Sequence, residues 1–445
     1  MDYDLYQQRD KEKSIFLKRN AVLLLWFCVT LFCVDLSFAQ DTSVTISHID
    51  FKGNAKTKES ILLKNIKSCI YSPLDSVQLQ EDVQRLIRIP AIVNAKYAIE
   101  YNEENTSAKV VFSVEENFSI VPNFSIYTTN DEEIAYGLSV TDVNFLGSNV
   151  MLSGFYLRDI FDSYGVSLRA PTLFSRKLGL AVSYNNYNYK EPVFFNTGTV
   201  NYKYSNEAVE VVGLYRMNFK NRFELGVNKF REEYLYLPES GDVAPPSYAT
   251  DVVEDKLLFK GLYDFNNTKY FYHHVSGFRL LYNLQYVINQ THDSPDFIIN
   301  WADALYYKEV GKRGNWATRI RAGLSSNNKS PFAPFSLDNN VNIRGVGNVV
   351  DRGTGSVVMN TEYRYDLFKY KSVVFQTNAF VDIGAWRSPG GEFEELVKFE
   401  KAKYFSGLGF RIIHQKIYNA VFRLDYGFSL NDSTRGFVIG VGQYF

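Results

Sequence analysis

A transmembrane antiparallel β-barrel of sixteen strands, preceded by one small α+β domain, is the fold class this chain predicts. Three observations carry it. From about residue 118 onward, apolar and polar residues alternate segment after segment with short polar turns between them, as strands with one lipid face and one lumen face do. Aromatics make up 16% of the chain, with 35 Phe and 32 Tyr, a load that suits girdles of rings at two membrane interfaces. The first 39 residues have the parts of an export signal.

That leader has Lys11, Lys13, Lys18 and Arg19 ahead of an apolar run from Ala21 to Cys33. Ser37-Phe-Ala39 then supplies a small-x-small cleavage site. Cys28 lies inside the run and Cys33 follows Phe32, which argues against lipoprotein processing. Cleavage leaves Cys69 as the one cysteine, so no internal disulfide is expected, and a lone apolar cysteine reads as packing. No later run approaches 18 apolar residues, so no spanning helix follows. A net charge of −1 gives no footprint for nucleic acid.

Residues 44–116 make the α+β domain. VTISHIDFKG alternates as a strand ending at Gly53-Asn54. Thr57 is placed to cap a helix carrying Ile61 and Leu62, and Asp75 or Ser76 to cap a second with Leu79, Val83, Leu86 and Ile87 on one face and Pro90 past its end. Strands from Asn94 and Ala108 flank the polar turn 103–107, so the order is βααββ.

Over 118–445, strands are expected at 118–128, 134–145, 149–158, 164–173, 178–190, 207–219, 222–236, 256–266, 277–289, 298–310, 315–326, 356–368, 372–386, 404–414, 418–430 and 436–445. The alternation is sharpest in VFRLDYGFSL, where Phe422, Leu424, Tyr426, Phe428 and Leu430 oppose Arg423, Asp425, Gly427 and Ser429. A soluble sandwich also alternates, but turns its charged face to solvent. Long connections at 237–255, 325–355 and 387–403 suit the outer surface, and short ones such as LGSN and GKRG the periplasmic side. The loop 325–355 holds FSLDNNVNIRGVG, an arginine on a glycine-bracketed tip long enough to fold inward.

The first domain resembles a POTRA domain in Ile49-x-x-x-Gly53-Asn54, the two helices, Ile92-Val93-x-Ala95-x-Tyr97 and Val110-x-Phe112-x-Val114-Glu115-Glu116. The remainder resembles the barrel of the outer-membrane insertase and two-partner-secretion transporter superfamily. The residues that carry this are Asp142-Val-Asn144-Phe-Leu-Gly147, Ile343-Arg344-Gly345-Val346, Asn360-Thr-Glu362-Tyr-Arg364, Phe380-Val-Asp382-Ile-Gly384, Gly407-x-Gly409-Phe410-Arg411, Arg423-Leu-Asp425-Tyr426 and a terminal aromatic, Phe445. One departure is plain: Val346 stands where that family has an aromatic after the glycine. The resemblance implies that Arg344 enters the lumen and pairs with Asp382, with Glu362 and Asp425 next. Strand parity independently puts Glu362, Arg364, Asp366, Asp382, Arg411, Arg423 and Asp425 on the lumen face. There a charge is retained when paired, and a guanidinium fork suits a carboxylate.

Gly384, Gly407, Gly409, Gly427, Gly440 and Gly442 fall on the lumen side. Two roles stay open for them: weakening the pairing of the last strand, with Gly440, Gly442 and Phe445 at the seam to the first, or making room for the inserted loop. The resemblance implies a non-enzymatic outer-membrane assembly or translocation factor, its POTRA in the periplasm of a Gram-negative cell. Its partners would be unfolded outer-membrane or secreted clients, surrounding lipid and accessory lipoproteins, with no cofactor and no metal. A dedicated two-partner-type secretion transporter and a passive porin-like channel are the alternatives. No G-x-S-x-G, Walker or HExxH pattern is present. His273 and His274, adjacent on an expected strand, should point to opposite faces and share no metal.

Overall fold

Alternation in TISHIDFK makes β1 (Thr45–Lys52), and the helical spacing that follows makes α1 (Glu59–Asn65) and α2 (Ser76–Ile87). These come from a computed structural model, which describes residues 44–128, 134–195, 197–238, 244–246, 249–291, 294–398 and 401–445. The expected leader lies outside them, as do parts of the loops 237–255 and 387–403. Asp75 caps α2, accepting from the Val77 and Gln78 amides, which satisfies two otherwise orphaned donors. β2 (Ile92–Tyr101) and β3 (Ser107–Glu116) complete a three-stranded sheet in the order β1-β3-β2, with β1 parallel to β3. Leu62, Leu79, Leu86, Val110 and Phe112 are buried to the last atom between helices and sheet, each worth about 1.5–3 kcal/mol of transfer free energy. Two expectations change. Thr57 does not cap α1, whose N-cap is Lys58 with no side-chain bond, because its hydroxyl is used elsewhere. Cys69 is exposed on the loop between the helices rather than packed.

Sixteen antiparallel strands follow as expected. They are β4 (Ile120–Thr128), β5 (Ile134–Phe145), β6 (Val150–Arg158), β7 (Asp162–Ala170), β8 (Leu178–Phe195), β9 (Gly198–Arg216), β10 (Asn221–Tyr236), β11 (Asp251–Phe271), β12 (His274–Asn289), β13 (Phe297–Val310) and β14 (Gly314–Ser325). Within the long loop lie two three-residue strands, β15 (Phe335–Leu337) and β16 (Asp351–Gly353), paired only with each other. Then come β17 (Gly355–Tyr370), β18 (Val373–Arg387), β19 (Lys403–His414), β20 (Val421–Ser429) and β21 (Arg435–Val441). Each barrel strand pairs with its sequence neighbour, β14 with β17 across the loop, and the sheet runs from β21 round to β4. Among the described residues β4 and β21 do not pair with each other, so the ring is complete except at this seam.

Parity holds where it was sharpest. Phe422, Leu424 and Phe428 face outward while Arg423, Asp425 and Gly427 face in; on β21, Phe437 and Ile439 are exposed and Val438 is buried. The outside is an apolar band that needs lipid, since a water-facing surface rarely carries so large a patch. Two strand readings shift. The stretch 191–206 is not a loop but the tip of the β8–β9 hairpin, paired as far as Phe195 and Gly198. The last strand stops at Val441: Gly442 takes φ +88°, and Gln443-Tyr444-Phe445 leaves the sheet.

Candidate functional site

The loop between β14 and β17 folds back into the barrel, and its own polar residues shape the tip. Asp338 accepts from the Asn340 amide with one carboxylate oxygen and from Val349 with the other, and its carbonyl takes the amides of Asn342 and Ile343. Asn339 Oδ1 accepts from Gly345 and Gly347. Leu337, Ile343 and Val346 pack on Val358, Phe405 and Trp386 of the wall. Gly345 has φ +93° and lies flat on the Gly427 backbone of β20, so a side chain on either glycine would overlap the other segment.

This posture carries Arg344 into the lumen against β17, β18 and β20, where it is fully buried. Its Nε and Nη2 donate to Asp382 Oδ2 and Oδ1, each at 2.9 Å, a bidentate fork, and its backbone amide reaches the same carboxylate at 3.0 Å. Nη1 donates to Glu362 at 2.6 Å and stands 3.9 Å from Asp425, which Arg423 holds at 3.3 Å. Glu362 is shared: Arg411 donates to both of its oxygens at 3.0 Å and Arg364 to one at 2.5 Å. Asn360, opposite Asp382 in the β17–β18 register, donates to Asp382 and to the Asn342 carbonyl, tying strand to loop. Arg344 is also sandwiched between rings, 3.6 Å from the Phe380 centroid and 4.4 Å from that of Tyr444, a favourable arrangement for a cation kept from water.

Tyr444 comes from the chain end. After the turn at Gly442, Tyr444 donates its hydroxyl proton to the Asn339 carbonyl, Gln443 accepts from Arg411, and the Phe445 carbonyl accepts from Arg364. The C-terminus is therefore part of the cluster and not of the seam edge where strand reading put Phe445. Arginines attract the rings and the left-handed residue at Gly442 permits the turn. Val346 has no ring to offer, and it is Tyr444 that presents an aromatic face to Arg344. Gly384 lies against Ile343 and Trp386, and Gly440 against the Arg423 guanidinium; both are close-approach positions for the lumen filling.

The opposite opening, below this cluster, is met by the small domain. Asn144 at the end of β5 and Gly147 in the turn after it hold it directly: Asn144 donates to the Thr57 hydroxyl, and the Gly147 carbonyl accepts from the Lys58 amide. That is where the hydroxyl expected to cap α1 is spent. Gly147 has φ +68° and abuts the Lys56 carbonyl, leaving no room for a side chain. Past the end of α2, Arg88 donates to the carbonyls of Phe219 in the β9–β10 turn and of Asn266 and Thr268 near the end of β11, and lies over the Phe219 ring. Burial lowers Arg88 to about 10, so it remains charged at neutral pH. Arg216 donates to Asn65, and the Tyr270 amide to Gln84.

Sequence reasoning did not single out Asp338, Asn339, Arg88 or Tyr444, and it named Asn360 only as part of a motif. Asp-Asn-Asn before a glycine-bracketed tip is a turn signal and could have shown the first two. Arg88 and Tyr444 have no local signal, because only the packing of distant segments gives them partners.

Residues 44–117 match the family model described as POTRA, surface antigen variable number repeat. No curated protein matches the sequence. The fold is similar to that of BamA from Haemophilus ducreyi lacking POTRA domains 1–3 (TM-score 0.54, 13% identity, 89% of this chain and 83% of that one). It is similar also to CdiB from Escherichia coli (0.61, 11%, 90% and 74%) and CdiB from Acinetobacter baumannii (0.55, 12%, 90% and 74%). The chain has the POTRA-plus-barrel fold of BamA and CdiB. Within this POTRA-barrel protein, the small domain is the POTRA and the sixteen-stranded sheet the barrel.

Proposed function

We propose that this chain is a non-enzymatic factor of the Gram-negative outer membrane that inserts barrel proteins into the membrane or passes polypeptides across it. In this reading the POTRA domain lies in the periplasm and receives unfolded client, and the edges of β4 and β21 template or pass it. The observation that carries the proposal is a pair of features in one barrel: a loop bolted inside the lumen by buried ion pairs, and first and last strands that, among the described residues, do not pair with each other. A passive channel needs an open lumen, whereas unpaired strand edges are templates for an incoming strand. Arg344, Glu362, Asp382, Arg411, Arg423 and Asp425 act as the lock that keeps the loop in place, with Gly345 and Gly384 giving the tip its seat. Lipid surrounds the apolar exterior, and accessory lipoproteins are candidate partners for the exposed POTRA surface.

A dedicated secretion transporter of the two-partner type is the second reading. Displacing the loop would bare a passage lined by Arg319, Arg364, Arg411 and Arg423, a polar path suited to an extended chain. Depletion of the protein followed by profiling of the outer-membrane and secreted proteomes separates the two. Broad loss of barrel proteins supports assembly and loss of one secreted product supports dedicated transport; an unchanged profile in both fractions overturns the proposal.

A further inference from the structure

His273 and His274 do not lie on one strand with opposed faces. β11 runs to Phe271, Tyr272 takes φ +54°, and β12 begins at His274 opposite Phe271, so His273 lies in the two-residue hairpin turn and His274 is the first residue of the strand that follows. A turn breaks the two-residue alternation, and both imidazoles converge on one carboxylate: each Nε2 lies 2.9 Å from Asp366 Oδ2, on β17. One donor atom from each of the three residues falls within 4.8 Å of the others. Among the described residues no other group of three histidine, cysteine or acidic side chains is arranged in this way.

We propose that His273, His274 and Asp366 form a binding site for a late first-row divalent cation, with Zn2+ the natural probe. Two imidazoles and one carboxylate suit zinc, nickel, cobalt or iron(II) and not the oxygen-seeking calcium and magnesium. With metal–nitrogen and metal–oxygen bonds of about 2.0–2.2 Å, neighbouring donors stand roughly 2.9–3.4 Å apart, a range that both histidine–carboxylate spacings of 2.9 Å already meet. The outer partners are in place as well. Gln376 donates to Asp366 Oδ1 at 2.8 Å, leaving Oδ2 for the ion, and the Gln415 amide lies 3.2 Å from His273 Nδ1. Turning that amide over lets its oxygen accept Nδ1–H, the orientation that frees Nε2 as a ligand.

The three side chains are not sealed off; each keeps 10–17% of its surface exposed. His273 lines the cavity of about 630 Å³ between the POTRA domain and the barrel mouth, which gives an ion a route in and leaves coordination positions for water. The location also gives the ion a consequence. The β11–β12 hairpin contacts the POTRA domain through Tyr270 to Gln84 and Tyr272 to Asn94, while β17 carries Glu362 of the lumen cluster. A bound cation ties the hairpin that touches the POTRA domain to the strand at the centre of the lock.

The test uses the full chain in detergent, stripped with chelator and free of any histidine tag, titrated with Zn2+ in a calorimeter. One Zn2+ per chain is expected. His273→Gln, His274→Gln and Asp366→Asn should each weaken binding more than about 100-fold, and Gln415→Leu roughly 10-fold, the lower end for an outer-shell partner. Retained heat-modifiable migration on gels shows that a variant still folds. Should any variant fail that check, Co2+ loading of the wild type replaces it: a visible ligand-field spectrum that Zn2+ displaces one for one supports the site. Absence of saturable Zn2+ binding by the wild type, a featureless Co2+ spectrum, or unchanged binding in any folded ligand variant overturns the proposal.

Discussion

The inward loop and the POTRA domain both contact the barrel, one within its lumen and one at its mouth, yet their contacts are built on different chemistry. The loop is held by formal charges that no water reaches: Arg344, Glu362, Asp382 and Arg411 are together in one network, and Glu362 alone serves three guanidiniums. The POTRA domain is held mostly by dispersed bonds to backbone carbonyls and neutral side chains, at Arg88, Asn144, Lys58 and Arg216. Removing one member of a buried charge network strands the rest, whereas a scattered set loses its members one at a time. The loop should therefore be either seated or released, and the POTRA domain should loosen by degrees.

The largest effect should come from Glu362→Ala. Three arginines lose their carboxylate at once, and the cost should be about 3–5 kcal/mol, read as a lowered midpoint of denaturant unfolding. Combining it with Arg344→Ala should cost far less than the sum of the two; additive effects would show that the charges act separately. Next, Gly427→Val drives a side chain into the Arg344 carbonyl without touching any charge. A cost of about 1–3 kcal/mol is expected for such overpacking, seen as new protease cleavage within 338–350 while the POTRA contacts stay protected in hydrogen exchange.

On the other side of the comparison, Arg88→Ala should cost about 1.5–3 kcal/mol, the range for hydrogen bonds from a charged donor. Its signature is faster exchange at Phe219 through Tyr270 with the loop still protected. Thr57→Val should be the mildest, about 0.5–1.5 kcal/mol for one hydrogen bond, and should likewise leave the lumen untouched. If either POTRA variant released the loop, the two sets of contacts would be one coupled unit and the distinction drawn between them would fail.

Much of this architecture was legible because both periodicities are strong. Helical spacing at Leu79, Val83 and Leu86 and alternation in VFRLDYGFSL each follow from burying one face, so strand parity also placed Glu362, Asp382, Arg411 and Asp425 in the lumen. What pattern could not supply was anything decided by a turn or by a meeting of distant segments. Tyr272 in a left-handed conformation brings His273 and His274 together, against the alternation assumed for them. Gly442 sends Tyr444 and Phe445 inward, although the apolar run VIGVGQYF reads as one strand. Thr57 has the residue type and spacing of a cap, and only the folded barrel shows that Asn144 claims its hydroxyl.

The central claim is that the arginine-bolted loop keeps the lumen shut, and single-channel conductance in a planar bilayer tests it most directly. The wild type should stay closed or flicker briefly, and Arg344→Ala should give long-lived open levels. A steady open pore in the wild type, unchanged by Arg344→Ala, would contradict the account.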